Sequence, residues 1–260
     1  MKTTKLIIAF TALFIAASTQ AAPNGARKTL VIAGDYWCPY NCLPNSNRPG
    51  FLVELVSRAL HIYGVDIEYQ MMSWNQALGK VKNAEIDGII GISNPGGRNL
   101  VSTKLPLEYC MPKAFTRNDT DWVYNGTESL RGKKLGIILG YTLDESINNY
   151  IGMHYASSLG MFIVEDGENA VIESIANIID GDSDVYIEDE RVVKSYTKEN
   201  GLAQYIKDAG SITENKLPIY VAFAKEVPHI NQYIKYFEDG LASLKATGEY
   251  DALRAKYNLD

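Results

Sequence analysis

The sequence is short of three things: cysteine, histidine and long hydrophobic runs. It has three cysteines and three histidines in 260 residues. His61, His154 and His229 are scattered without ligand spacing, which argues against a zinc centre and reads each as a surface or core histidine. The one sustained apolar run, over 6–17, falls short of the roughly 18 residues that a membrane span requires. Lys2 and Lys5 precede it, and small and polar residues ending in Thr19-Gln20-Ala21 follow it, which fits a cleaved secretory signal over 1–22. No cysteine lies near that cleavage point, so lipid attachment there is excluded. In a Gram-negative cell the product belongs in the periplasm. An excess of basic charge is also missing. Lys and Arg number 25 against 31 Asp and Glu, for a formal net charge of -6 that moves to about -8 once the signal is removed. That rules out the basic footprint of a nucleic-acid partner.

An exported chain enters a compartment that permits disulfides. Cys38 and Cys42 bracket Pro39-Tyr40-Asn41, a loop short enough to bring their Cβ atoms within reach. A Cys38–Cys42 bridge is expected, with a bridge from either residue to Cys110, or a metal site, as the alternatives.

Periodicity predicts alternating strands and helices. Strands are expected over 29–33, 65–71 and 86–92, with helices over 51–63 and 74–82 between them. Leu52, Leu55, Val56, Ala59, Leu60 and Tyr63 share one face of the first helix, and Gly64 stops it. The alternation then repeats, with strands over 134–139, 161–165 and 184–188 and helices over 143–151, 168–179 and 189–198. Two extended apolar stretches, 109–116 and 218–225, are read as crossings between the two halves. The tail, with Ile230, Ile234, Phe237, Leu241 and Leu244 at helical spacing, returns to the first half. The expected fold is α/β, with two Rossmann-like lobes of parallel-rich sheets joined by a two-strand hinge. Lobe one comprises 27–113 and 222–260, and lobe two 116–218.

The order Trp37-Cys38-Pro39-Tyr40, then Gly50-Phe51-Leu52-Val53-Glu54-Leu55, then Ile86-Asp87-Gly88-Ile89-Ile90, then Arg98, resembles the amino-acid-binding components of ABC importers, the type II periplasmic binding proteins. The likeness runs from about residue 29 to the C-terminus. It implies that Arg98 clamps a ligand α-carboxylate, a task suited to its planar fork of donors, and that Ser93 meets the same group. It implies that Asp189, in Asp184-Val185-Tyr186-Ile187-Glu188-Asp189-Glu190, accepts from the ligand ammonium, with Glu188 as the alternative. Thr142, in Gly140-Tyr141-Thr142, is implied to meet the carboxylate at a helix start, where it could equally act as a helix cap. Trp37 aligns with an aromatic that stacks on the ligand. Trp74 reaches the cleft or serves the core.

Two departures stand out. Asn94-Pro95-Gly96-Gly97 replaces the usual threonine before the arginine, and the segment 38–49 differs from common relatives. The implied function is capture of a small zwitterion by lobe closure, without cofactor, by a monomer that delivers it to a membrane permease. The alternatives are a binding protein that docks on a receptor as a sensor, and an enzyme resembling cyclohexadienyl dehydratases. The sequence shows no Gly-X-Ser-X-Gly elbow, phosphate loop or nucleophile paired with a base.

Overall fold

The structure is a computed structural model and describes residues 28–157 and 160–259. The expected signal over 1–22 lies outside the described residues. The first half forms β1 (Lys28–Gly34), α1 (Phe51–His61), β2 (Val65–Met71), α2 (Trp74–Lys82) and β3 (Gly88–Ile92). β1 runs parallel to both β2 and β3. The stripe predicted on α1 is buried, from Phe51 and Leu52 through Leu55 and Val56 to Ala59 and Leu60, as helical periodicity requires.

The chain continues through the short β4 (Val101–Ser102) and β5 (Glu108–Cys110) into β6 (Pro112–Arg117). The second alternation then builds β7 (Leu135–Ile138), α3 (Glu145–His154), β8 (Phe162–Glu165), α4 (Ala170–Asp180), β9 (Val185–Asp189) and α5 (Glu190–Glu199). After β10 (Ile206–Ser211) and β11 (Leu217–Phe223), the chain ends in α6 (Ile230–Ala246) and α7 (Glu249–Lys256).

These strands make two mixed sheets. The first has the order β2-β1-β3-β11-β4, with β5 also on β11, and the second has the order β10-β6-β9-β7-β8. β7 is parallel to β8 and β9, whereas β6 is antiparallel to β9 and β10. The second sheet is covered on both faces. Val171, Ile175 and Ile178 of α4 lie in the cluster with Tyr186, and Ile147 and Tyr150 of α3 pack with Leu135, Val185 and Ile187. The alternation of Val185, Tyr186 and Ile187 between the two clusters is the period of two that a strand imposes.

Strand pairing puts the passages between the sheets at 110–112 and 211–217. Pro112 and Lys113 already pair with Asp189 and Glu188 of the second sheet. The stretch 218–225, expected as a crossing, is instead mostly β11, antiparallel to β3 and β5 inside the first sheet. Its apolar residues pair there, and the crossing itself falls to 212–216.

α6 and α7 pack back on α1. Gly240 permits this: a Cβ at that position would lie 2.2 Å from the Ala59 carbonyl oxygen, so the two helix backbones meet where only glycine fits. Among the described residues no helix is long and apolar enough to cross a membrane.

Candidate functional site

Two pairs of parallel strands, one from each sheet, end at one place. β1 and β3 of the first sheet, and β7 and β9 of the second, deliver their C-terminal residues to the cleft between the lobes, where open α/β sheets place ligands. All six expected residues, Trp37, Trp74, Ser93, Arg98, Thr142 and Asp189, line one cavity there. Its volume is about 50 Å³, against the roughly 10–15 Å³ that a cavity needs on the same measure to hold one water.

Beyond β1 the chain turns through a Cys38–Cys42 disulfide. Trp37 and Asn41 bond to each other across this turn, N to O at 2.8 and 3.0 Å. The Tyr40 ring lies against Trp37 with centroids 4.4 Å apart. A short bridged turn thus fixes two aromatic rings, and both reach the opposite lobe. Trp37 Nε1 donates to Glu188 Oε1 at 2.8 Å, and the Tyr40 hydroxyl donates to Asp189 Oδ1 at 3.2 Å.

Beyond β3, Ser93 donates to the Thr142 carbonyl at 3.1 Å. A turn of 3₁₀ helix, Gly96–Arg98, then aims Arg98 at the second lobe. Its Nη2 donates to the Gly140 carbonyl at 2.7 Å and also to the Thr142 hydroxyl. Burial lowers the pKa of this guanidinium, but arginine stays charged regardless.

Gly140, after β7, has a φ of 84°. A Cβ there would lie 3.1 Å from Leu78 and 3.2 Å from Trp74, and the Trp74 indole donates to the Gly140 carbonyl at 3.0 Å. Glycine therefore lets the second lobe close against α2. The neighbouring Tyr141 hydroxyl donates to Asp35 Oδ2. Thr142 does not cap α3. That role falls to Asp144, whose carboxylate accepts from the Ser146 N–H at 2.8 Å.

At the end of β9 two acids are buried. Asp189 caps α5, accepting from the Arg191 N–H at 2.8 Å and the Met111 N–H at 2.7 Å. Glu188 accepts from Trp37 and from the Asp189 N–H through Oε1, and from the Tyr186 hydroxyl at 2.8 Å through Oε2. Burial pushes the Glu188 carboxyl up to about 7, although its three hydrogen bonds oppose the shift. Burial likewise raises Asp189, against its backbone N–H donors and Arg191. Asp35 is pushed up to about 6, again by burial and against its bond from Tyr141.

Asp35 and Tyr141 line the same cavity without a sequence motif that marks them, and so does the buried thiol of Cys110, which is bridged to neither Cys38 nor Cys42. Asp35 follows the apolar run of β1 directly, so the strand-end rule that selects Asp189 would also have found it. Tyr141 sits inside a motif where only its neighbours drew notice. Among the described residues no group of three or more His, Cys, Asp or Glu is arranged to hold a metal ion.

The family model of the bacterial extracellular solute-binding proteins, family 3, matches residues 30–260. The chain is 24% identical over 270 residues to the probable histidine-binding protein of Campylobacter jejuni subsp. jejuni, covering 99% of this chain and 98% of that protein. It is 23% identical over 252 residues to the arginine-binding extracellular protein ArtP of Bacillus subtilis, covering 96% and 93%. Among solved structures, it is similar to an ancestral arginine-binding protein bound to arginine, with TM-score 0.73, 20% identity and coverage of 90% and 99%. A histidine kinase sensor domain with similarity to periplasmic binding proteins matches with TM-score 0.73, 21% identity and coverage of 89% and 96%.

Proposed function

The chain belongs to the bacterial extracellular solute-binding proteins of family 3, and we propose that it captures a zwitterionic amino acid between its lobes for the permease of an ABC importer. One observation carries this reading: Arg98 from the first lobe and Asp189 from the second line a single cavity at the ends of parallel strands. Arg98, with Ser93 and Thr142, takes the ligand carboxylate. Asp189 takes the ammonium, and the rings of Trp37 and Trp74 wall the side chain.

Burying both ends of a zwitterion is favourable only if each charge meets a partner. Closure supplies those partners from opposite lobes, so ligand and closed form stabilise each other. The bonds from Arg98 and Ser93 to 140–142 cross the cleft where the carboxylate enters, and the ligand exchanges with part of them. The two relatives are named for amino acids, one as a probable histidine-binding protein and the other as an arginine-binding protein.

The chain acts as a binder without turnover, as a monomer, in the periplasm after loss of 1–22. A thermal-shift panel of amino acids tests the reading, because a ligand that binds only the folded state raises the melting temperature. No shift with any amino acid, or turnover of prephenate or arogenate, overturns it.

A further inference from the structure

We propose that the ligand carries a second positive charge, received by Asp35 and Glu188, so that the site takes a cationic amino acid in preference to a neutral one. This rests on the zwitterion reading of the same cavity. Three carboxylates line that cavity, Asp35, Glu188 and Asp189, against one guanidinium, Arg98. A neutral amino acid uses Arg98 for its carboxylate and Asp189 for its ammonium. Asp35 and Glu188 are then left buried, only 5% and 3% exposed, with no cation between them.

The groups around these two acids answer their hydrogen bonds and not their charge. Asp35 accepts from the Tyr141 hydroxyl, and its backbone carbonyl faces the Tyr69 hydroxyl at 3.5 Å. Glu188 accepts from the Trp37 indole, the Asp189 N–H and the Tyr186 hydroxyl. The cations nearby are engaged elsewhere. Arg98 donates to Gly140 and Thr142. Arg191 lies 5.8 Å from the centre of the Tyr40 ring, donates to the Tyr109 carbonyl at 3.2 Å and acts on Asp189. Cys110, near Glu188 and Asp189, is held in its neutral thiol form by burial. A ligand ammonium, guanidinium or imidazolium supplies the missing charge.

The remaining lining fits such a group. Trp37, Trp74 and Tyr141 present aromatic surface to a cation, and Leu217 and Ile219 form an apolar wall for a methylene stem. A polyamine would match Asp35 and Glu188 but leave Arg98 without a carboxylate. The ligand therefore combines an α-amino-acid head with a cationic side chain. Because the two carboxyls sit above their ordinary range, the incoming cation displaces protons from them, and binding near neutral pH releases protons to the buffer.

The test is titration calorimetry on the mature protein with arginine, lysine, ornithine and histidine against citrulline, glutamine and norleucine, with agmatine as a cation lacking the carboxylate. Each ligand is run in two buffers of different ionisation enthalpy. The cationic amino acids are expected to bind at least about tenfold tighter than the neutral ones, as for a hydrogen bond to a charged group, with net proton release. Asp35→Asn and Glu188→Gln, each first shown by its melting curve to be folded, are expected to lose more affinity for arginine than for citrulline. Neutral ligands binding as tightly as arginine and lysine would overturn the cation assignment and leave the zwitterion reading standing. Silence from every amino acid would overturn both. Agmatine matching arginine would overturn the combined head-and-tail assignment.

Discussion

The Trp37 indole on the first lobe donates to the Glu188 carboxylate on the second at 2.8 Å, although 151 residues separate them in sequence. The bond ties the bridged turn after β1 to the end of β9. It forms only when the lobes meet, so it belongs to the energetics of closure and not to the stability of either lobe. Trp37→Phe keeps an aromatic ring and removes the donor, leaving a buried carboxylate one bond short. The expected cost to the closed form is about 1–3 kcal/mol. Small-angle scattering with and without ligand checks this: the variant should need more ligand to reach the compact form, while its lobes unfold as before.

Arg98 is the group on which the carboxylate assignment turns. Arg98→Ala is expected to weaken amino-acid binding by about 2–4 kcal/mol, as for a buried charge deprived of its partner. Arg98→Lys should recover only part of that loss, because a point charge cannot reproduce a fork that spans Gly140, Thr142 and a carboxylate. Calorimetric titration of the two variants separates charge from geometry. Parental affinity in Arg98→Ala would sink the assignment.

The acids in the cleft give stability a definite dependence on pH. Asp35 and Glu188 have folded pKa values raised to about 6 and about 7 from ordinary values of 3.8 and 4.5. The folded form therefore holds protons that the unfolded chain gives up. Their contribution is fully present below about pH 4 and is lost as pH rises through 6 to 7, by something on the order of 3 kcal/mol for each group. Glu54 and Glu190, whose pKa values are lowered by Lys256, Lys113 and Lys194, work in the opposite direction at more acid pH. The double variant Asp35→Asn with Glu188→Gln isolates the effect. Its melting temperature should fall less than the parent's between pH 5.5 and 7.5, and equal slopes would contradict the buried-acid account.

Much of this fold is legible in the sequence because its elements carry strong periods. Leu52, Leu55, Val56 and Leu60 mark α1, and Val171, Ile175 and Ile178 mark α4, before any contact is known. The second crossing was not legible, since the apolar residues of 217–223 suit a hinge strand as well as the centre of a sheet. What decides is the pairing of Tyr220 with Ile92 and Leu217 with Cys110, which is a long-range fact. The site divides the same way. Arg98 and Asp189 stand in recognisable local patterns. The environment of Asp35 comes from Tyr141, 106 residues away, and no local pattern encodes it.

The Cys38–Cys42 bridge closes a loop of few residues, so its removal should cost only about 2 kcal/mol in chain entropy. Its larger effect is expected on binding. The turn it closes holds the Trp37 and Tyr40 rings 4.4 Å apart, each bonded to an acid of the other lobe. Reduction, or Cys38→Ser with Cys42→Ser, should lower the melting temperature by a few degrees and weaken ligand binding more than that change predicts. Titrations with and without reductant make the comparison.

Gly140 offers a test of closure that leaves every charged group in place. Its φ of 84° suits glycine, and a Cβ there would come within 3.2 Å of Trp74 and 3.1 Å of Leu78. Gly140→Ala therefore incurs backbone strain of about 1–3 kcal/mol in its own lobe. The clash with Trp74 and Leu78 is a separate effect and arises only when the lobes close. A mere local destabilisation would lower the melting temperature and leave affinity intact in the folded fraction. If closure is the step that brings Asp189 toward a ligand already held by Arg98, the variant must also bind more weakly well below its melting temperature. Removing the opposing bulk separates the two effects. Leu78→Ala combined with Gly140→Ala should restore part of the affinity without restoring the strain, and a double variant that binds no better than Gly140→Ala alone would place the defect in the turn and not in the meeting of the lobes.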